Sequence, residues 1–273
     1  MRVESNYGVS LDVSVAGRGP GVVLVSGALD DGAELRPLAE LLADEFTTVV
    51  YSRRGRGTSG DAADSSVDDE IGDLRAVVAA VVDGPASVVG SSSGGLLALR
   101  AAAAGAPISR LVVWEPPFDV TDGATPRHRS YSHALAVALD RGDRGAALEL
   151  AMRAWGSPPE VIAGARRSPF WAPLLDLAPT LRYDAAVMDD GEALADLFRT
   201  VDVPVLVATS TGTSVEMADL ADGFFDTAAT ALVALLPQAE RISVPQQGHE
   251  MDARAVVSAV RPFLRGRTQR EIG

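Results

Sequence analysis

The sequence predicts an α/β fold: a mostly parallel sheet flanked by helices, with a helical insertion. Three observations carry that prediction. Short β-branched runs bounded by Gly, Pro or polar clusters alternate with helical patterns along most of the 273 residues. Such alternation yields parallel strands, because each strand returns through a helix packed on the sheet. The run Val22-Val23-Leu24-Val25 is apolar at every position, as a strand covered on both faces must be. Finally, the interval 118–203 breaks the alternation and holds no convincing strand.

In chain order, strands are expected near 10–16, 22–26, 47–51, 86–90, 110–114, 204–208 and 240–244. Helical patterns fall at 33–44, 66–83, 94–105, 215–236 and 252–265. The interval 118–203 is too long for a loop in a compact domain. Its helical patterns are interrupted by Pro158-Pro159, Pro169, Pro173 and Pro179. It reads as a helical cap over a core made of 1–117 and 204–273, and its excision is expected to spare the sheet. Trp155, Phe170, Trp171 and Tyr183 belong either to the insertion's own core or to the walls of a pocket.

Composition excludes several chemistries. Without cysteine there is no disulfide, thiolate nucleophile or Cys-type zinc site. All the basic residues are arginine, so a lysine Schiff base or Ser-Lys dyad is out. A net charge of −13 disfavours nucleic acid, whose phosphates need a basic surface, and gives no reason to expect an anionic substrate. The start, Met1-Arg2-Val3-Glu4-Ser5-Asn6, lacks the apolar run of a signal peptide, and no stretch is long and apolar enough to span a membrane. A cytoplasmic protein with a small-molecule substrate and no cofactor, metal, nucleic-acid or membrane partner is expected; oligomeric state is not legible. Arg53-Arg54-Gly55-Arg56, the one basic cluster, is short enough to read as a solvated loop.

The segment Ala86-Ser87-Val88-Val89-Gly90-Ser91-Ser92-Ser93-Gly94-Gly95-Leu96-Leu97 carries the most chemical information. An apolar run ends in Gly-Ser-Ser-Ser-Gly-Gly and a helical pattern follows at once. This is G-x-S-x-G between a strand and a helix, which puts Ser92 at the tip of a strained turn. Side chains at positions 90 and 94 would collide as the chain reverses, so glycine fits both. The hydroxyl then stands beside the free N–H groups of a helix N-terminus, where it can attack a carbonyl.

A serine nucleophile needs a base, and the base an orienting acid. His128 and His133 lie in a polar, Arg-rich part of the insertion and read as surface residues. His249 lies in Gly248-His249-Glu250, after the last strand and before the last helix, on the sheet edge that also carries Ser92. His249 is the candidate base, and the chain order Ser then His agrees.

These motifs resemble the α/β-hydrolase family. Val23-Leu24-Val25-Ser26-Gly27 is similar to the family's strand and oxyanion turn, and Tyr51-Ser52-Arg53-Arg54-Gly55-Arg56-Gly57-Thr58-Ser59 to its next strand and loop, usually written with Asp at the position of Ser52. The resemblance covers nearly the whole chain outside the insertion. It implies an oxyanion hole made by the backbone N–H of Ser93 and that of Gly27 or Ala28.

Two positions depart from the pattern. Ser26 stands where the family often has His, and the loop Ser210-Thr211-Gly212-Thr213-Ser214 lacks the acid of the usual Gly-x-x-Asp, with Thr213 in its place. Glu115, at the end of Leu111-Val112-Val113-Trp114, is the first candidate to replace it; Glu216 and Asp219, early in the following helical pattern, are the alternatives, and a triad without a working acid is the third. An acid after the strand that follows the elbow resembles the fungal-type zearalenone lactonases, whose substrate is not carried over. Trp114-Glu115-Pro116-Pro117-Phe118 and the arginine cluster look more like bacterial hydrolases of the same shape.

The expectation is a cofactor-free serine hydrolase of an ester or lactone of a mainly apolar molecule, with Ser92 as nucleophile, His249 as base and Glu115 as acid. A non-hydrolytic or C–C-cleaving enzyme of the same fold, or a binding protein with a degenerate triad, is the alternative that the missing Gly-x-x-Asp keeps open.

Overall fold

A computed structural model describes residues 1–5, 8–62, 65–188, 191–212, 214–246 and 248–267. Its single sheet holds β1 (Arg2–Glu4), β2 (Ser10–Ala16), β3 (Gly21–Val25), β4 (Thr47–Tyr51), β5 (Ala86–Ser91), β6 (Ile108–Trp114), β7 (Val205–Ser210) and β8 (Ala239–Val244). Their order is β1-β2-β4-β3-β5-β6-β7-β8. β2 pairs antiparallel with both β1 and β4, and every other neighbour is parallel. All seven strands read from the sequence are present. β1 was not anticipated, because three residues on an edge are too few for an alternating pattern.

The helices are α1 (Arg36–Leu42), α2 (Val67–Val81), α3 (Ser93–Ala103), α4 (Ala124–Asp140), α5 (Arg144–Ala154), α6 (Pro159–Arg166), α7 (Trp171–Leu177), α8 (Leu181–Met188), α9 (Gly191–Phe198), α10 (Phe224–Leu235) and α11 (Ala253–Leu264). α2 opens with a Ser66/Asp69 capping box and an acidic first turn, which satisfies free N–H groups and the helix dipole. The single helix expected at 215–236 is instead a 3-10 turn, Val215–Met217, followed by α10. Gly223 at φ 68° interrupts the helical path, and Asp219 N–H is drawn to Gly156 O at 2.8 Å.

The continuous apolar strand feeds two cores at once. Val23 and Val25 pack with Leu74, Val77, Leu97 and Leu232 on one face. Val22 and Leu24 pack with Leu38, Leu42, Val256 and Phe263 on the other. Helices α4–α9 lie between β6 and β7 and hold a third, smaller core of Leu135, Leu139, Ala147, Ala151 and Leu181.

Arg53, Arg54 and Arg56 are no solvated loop: all three are 0–1% exposed. Three buried carboxylates match them. Glu70 meets Arg53, Asp73 meets Arg54, and Asp184 of α8 meets both Arg53 and Arg56. A buried charge persists only when paired, and here the formal charges balance. The signal in the sequence was on α2, where Glu70 and Asp73 share an inward stripe with Ile71, Leu74, Val77 and Val78.

Strand order reverses between β3 and β5, so the loops that leave their carboxyl ends diverge and open a crevice there.

Candidate active site

The loop after β5 builds a sharp turn. Ser92 sits at φ 52°, ψ −124° as the residue before α3, with its N–H donating to Trp114 O at 2.8 Å. A Cβ at Gly90 would lie 2.6 Å from Gly94 O, and one at Gly94 would overlap the carbonyls of Val25 and Ser26. The two glycines thus let the turn press against both its own helix and β3. Ser92 is left partly exposed at the floor of a cavity.

The register of neighbouring strands sets the other groups. Ser91 pairs with Trp114, and Trp114 with Ala208. Glu115 therefore emerges at the tip of β6 between Ser92 and the end of β7. It is 2% exposed, at φ 40°, with its N–H on Ala208 O at 2.9 Å. Its Oε1 accepts from Ser210 N–H at 2.8 Å and from Ser210 Oγ at 2.7 Å, while Oε2 lies 2.7 Å from His249 Nδ1. Thr213, where the family's acid was expected, lies outside the described residues. Glu216 and Asp219 are exposed along the cavity, and neither hydrogen-bonds His249.

His249 is held from three sides. Gly248 turns the chain at φ 82°, Trp114 Nε1 donates to the His249 carbonyl at 2.8 Å, and the Phe225 ring stacks on the imidazole at 4.7 Å and 10°. With a carboxylate on Nδ1, that nitrogen carries the proton and Nε2 is left as an acceptor. Among the described residues no hydrogen bond joins Ser92 Oγ to His249, although both line the same cavity. Ser210 and Phe225 were missed by sequence reasoning; a serine at a strand end and a helix-start aromatic carry no distinguishing pattern.

Leu29, Ser92 and Glu115 are the non-glycine residues at positive φ among those described, and all three follow strands that end at this edge. Each such residue costs on the order of 1–3 kcal/mol, and such strain gathers where function demands a geometry.

Gly27 and Ala28 follow β3 and line the cavity with Ser93. Ser93 begins α3, so its N–H has no partner within the helix. Arg53 donates to Ser26 O at 3.2 Å, and Arg56 to Gly27 O. Burial works against the charge of Asp184, but Arg56 and Arg53 outweigh it and hold its carboxyl below the ordinary range. Burial likewise opposes the Arg53 charge, and Glu70 and Asp184 more than offset it.

The cavity encloses about 1240 Å³ and runs from the sheet edge to helices α4, α5 and α7. Its apolar wall includes Leu29, Phe118, Trp155, Leu174, Met188 and Phe225. Of the insertion's aromatics, Trp155 faces the cavity, Tyr183 is buried against Asp61 at 2.7 Å, and Phe170 is 73% exposed. His133 is exposed as expected, while His128 is half-buried and lines the cavity with Nε2 2.9 Å from Ala185 O. Asp30 and Glu34 also face the cavity, and burial pushes both carboxyls up. Among the described residues no group of His, Asp or Glu is placed to hold a metal ion, and no helix is long and apolar enough to cross a membrane.

Strand order, elbow and crevice define an α/β-hydrolase fold, and the chain belongs to the alpha/beta hydrolase family, whose model matches residues 22–260. A solved alpha/beta hydrolase from Sphaerobacter thermophilus is 37% identical, with a TM-score of 0.86 over 96% of this chain and 99% of that one. An esterase from Rhodococcus sp. ECU1013 is 26% identical, with a TM-score of 0.67 over 97% and 98% of the two chains. The N-formylmaleamate deformylase of Pseudomonas putida is 35% identical over 127 residues, 45% of this chain and 46% of that enzyme. The chain thus aligns with less than half the length of that curated relative.

Proposed function

We propose that the protein is a cofactor-free serine hydrolase that cleaves an ester or lactone of a mainly apolar small molecule through an acyl-enzyme. The observation that carries the reading is the 2.7 Å contact between His249 Nδ1 and the buried carboxylate of Glu115, on the same sheet edge as the strained Ser92. A carboxylate there sets the imidazole tautomer and stabilises the imidazolium that forms when Ser92 gives up its proton.

In the acylation step Ser92 Oγ attacks the carbonyl carbon and His249 Nε2 takes the hydroxyl proton. The carbonyl π pair moves onto oxygen, which the N–H groups of Ser93 and of Ala28 or Gly27 receive. Collapse of the tetrahedral intermediate expels the alkoxide, and the imidazolium returns its proton to that leaving group. Water, deprotonated by His249, then releases the acid. Hydrogen bonds of this kind tighten on substrate binding, so the absence of a Ser92–His249 bond in the free enzyme fits the scheme.

Segment 118–203 is proposed as the cap that shapes the site, since α4, α5 and α7 supply much of the cavity wall. The cavity exceeds the roughly 300–1,000 Å³ that suits a drug-sized ligand, and its large apolar side chains favour an apolar acyl or alcohol portion. The similarity to the Rhodococcus esterase favours the ester. Incubation with a fluorophosphonate probe tests the reading: the parent labels at Ser92, and Ser92→Ala does not. An unlabelled parent that hydrolyses no p-nitrophenyl ester overturns it and favours a binding role.

A further inference from the structure

The β3–β5 ladder ends at the pair Val25 and Gly90. Beyond it the turn after β3 packs directly on the elbow, a Cβ at Gly27 falling 3.0 Å from that of Ser92, so the peptides that carry the proposed oxyanion donors, Gly27-Ala28 and Ser93, belong to two neighbouring turns. A single carboxylate bridges them. Asp184 reaches in from α8, is 1% exposed, and accepts from Ser93 Oγ at 2.7 Å. It also takes Arg53 Nη1 and Arg56 Nη2, each at 2.8 Å. Those guanidinium groups donate onward to the turn after β3: Arg53 to Ser26 O at 3.2 Å, and Arg56 to Gly27 O and to Asp30 O, the latter at 3.2 Å.

The direction of these bonds matters. In a trans peptide the C=O and N–H point opposite ways. Holding the Gly27 carbonyl therefore aims the Ala28 N–H, and holding the Ser26 carbonyl aims the Gly27 N–H. A carboxylate needed only to neutralise the arginines would have no use for Ser93, and Glu70 already takes Arg53 through two bonds of 2.8 Å.

We propose that Asp184 is a positioning residue that fixes both halves of the oxyanion hole at once, so that a helix of the segment over the active site sets the alignment of its backbone donors. The proposal rests on the serine-hydrolase reading. Asp184 touches no substrate; it acts through Ser93, Arg53 and Arg56. The helices that line the cavity thereby share one buried anchor with the atoms that stabilise the transition state.

Two variants of the full chain test this, each with kcat normalised to the Ser92 sites titrated by a fluorophosphonate. Ser93→Ala removes one link and leaves the buried charges balanced; Asp184→Asn removes the charge on which all the links converge. The readouts are kcat and KM for p-nitrophenyl butyrate, and the Ki of a trifluoromethyl ketone, whose adduct places an alkoxide in the hole. Loss of one donor elsewhere costs about 10²–10³ in kcat. Misalignment is expected to cost about tenfold in Ser93→Ala and about 10²-fold in Asp184→Asn, with KM within about twofold. The ketone Ki should rise by the same factor as kcat falls, a parallel that lowered stability alone does not produce. A Ser93→Ala protein with the parent's kcat per titrated site and the parent's ketone Ki overturns the proposal, whether or not Asp184→Asn folds. A parent that fails to label at Ser92 overturns the serine-hydrolase reading instead, and this inference falls with it.

Discussion

The sheet edge and the helical segment between β6 and β7 share an apolar core but place their functional groups by different means. At the edge, strand register positions the chemistry: Ser92, Glu115 and Ser210 stand at the ends of three adjacent strands, β5, β6 and β7, which are buried along nearly their whole length. The helical segment has a small core of its own rich in alanine, shares Phe118, Val187, Leu194 and Phe198 with the core of the sheet side, and adds polar bonds to it. Asp184 meets Arg53 and Arg56, and Arg100 donates to Val187 O at 2.8 Å. Apolar burial tolerates small displacements, whereas a buried ion pair demands its partner. The lesson is that the segment is fastened to the edge at its most geometry-sensitive point, and that it is less separable than its position in the chain suggested.

The largest effect should come from the edge. Ser92→Ala is expected to lower kcat by about 10³-fold or more with the fold intact, since a partly exposed hydroxyl is lost and no core volume changes. His249→Ala should cost as much, and the double variant no more than either, because the proposed mechanism makes the pair one unit. Multiplicative losses in steady-state kinetics would show that the two act separately.

Glu115→Gln sharpens the assignment of the acid. The amide keeps its size but cannot stabilise an imidazolium, so kcat should fall by about 10²–10⁴-fold with little change in KM. Glu216→Gln should change kcat less than about threefold, an exposed residue without a bond to His249 having little to lose. Equal losses in the two variants would move the acid to the loop after β7.

Asp184→Asn tests the fastening as well as the alignment of the donors. Leaving Arg53 and Arg56 with one carboxylate fewer should cost about 3–5 kcal/mol of stability, a fall in Tm on the order of 10 °C in a chain of this size. Excision of 118–203 removes the same carboxylate, so it should destabilise the sheet side rather than spare it. Acid should act in the same direction. The Asp184 carboxyl titrates lower in the folded chain than its ordinary 3.8, so the unfolded chain binds its proton first. Its stabilising contribution is therefore complete above that value and lost as pH falls below it. Melting curves from pH 5 to pH 3 should show a shallower loss in Asp184→Asn than in the parent.

The smallest effect should come from the cavity wall. Leu174→Ala removes apolar volume on α7 and should shift the preference among p-nitrophenyl esters of increasing acyl length by about tenfold or less in kcat/KM, without changing which residue labels. An unchanged ranking would place the substrate elsewhere in the cavity.

Much of this protein was legible in its sequence. Strand runs such as Val22–Val25 announce a doubly covered sheet because burial on both faces leaves no polar alternative. The glycines at 90 and 94 announce the elbow because no other residue fits the close approach there. Chain order placed His249 on the right edge. Through-space pairing was legible only in part. Glu115, which meets His249 across 134 residues of chain, was the first of several candidates, whereas the meeting of Arg53 with Asp184 across 131 was not foreseen. Periodicity and propensity encode what a residue does relative to its neighbours in the chain, so they fixed where strands, helices and the elbow fall. Which carboxylate faces which base, and whether three clustered arginines face water or a buried acid, depends on strand order, register and the docking of α8. Those are settled only when distant segments pack, because a charge is stabilised by the partner beside it and not by the residues that flank it in sequence.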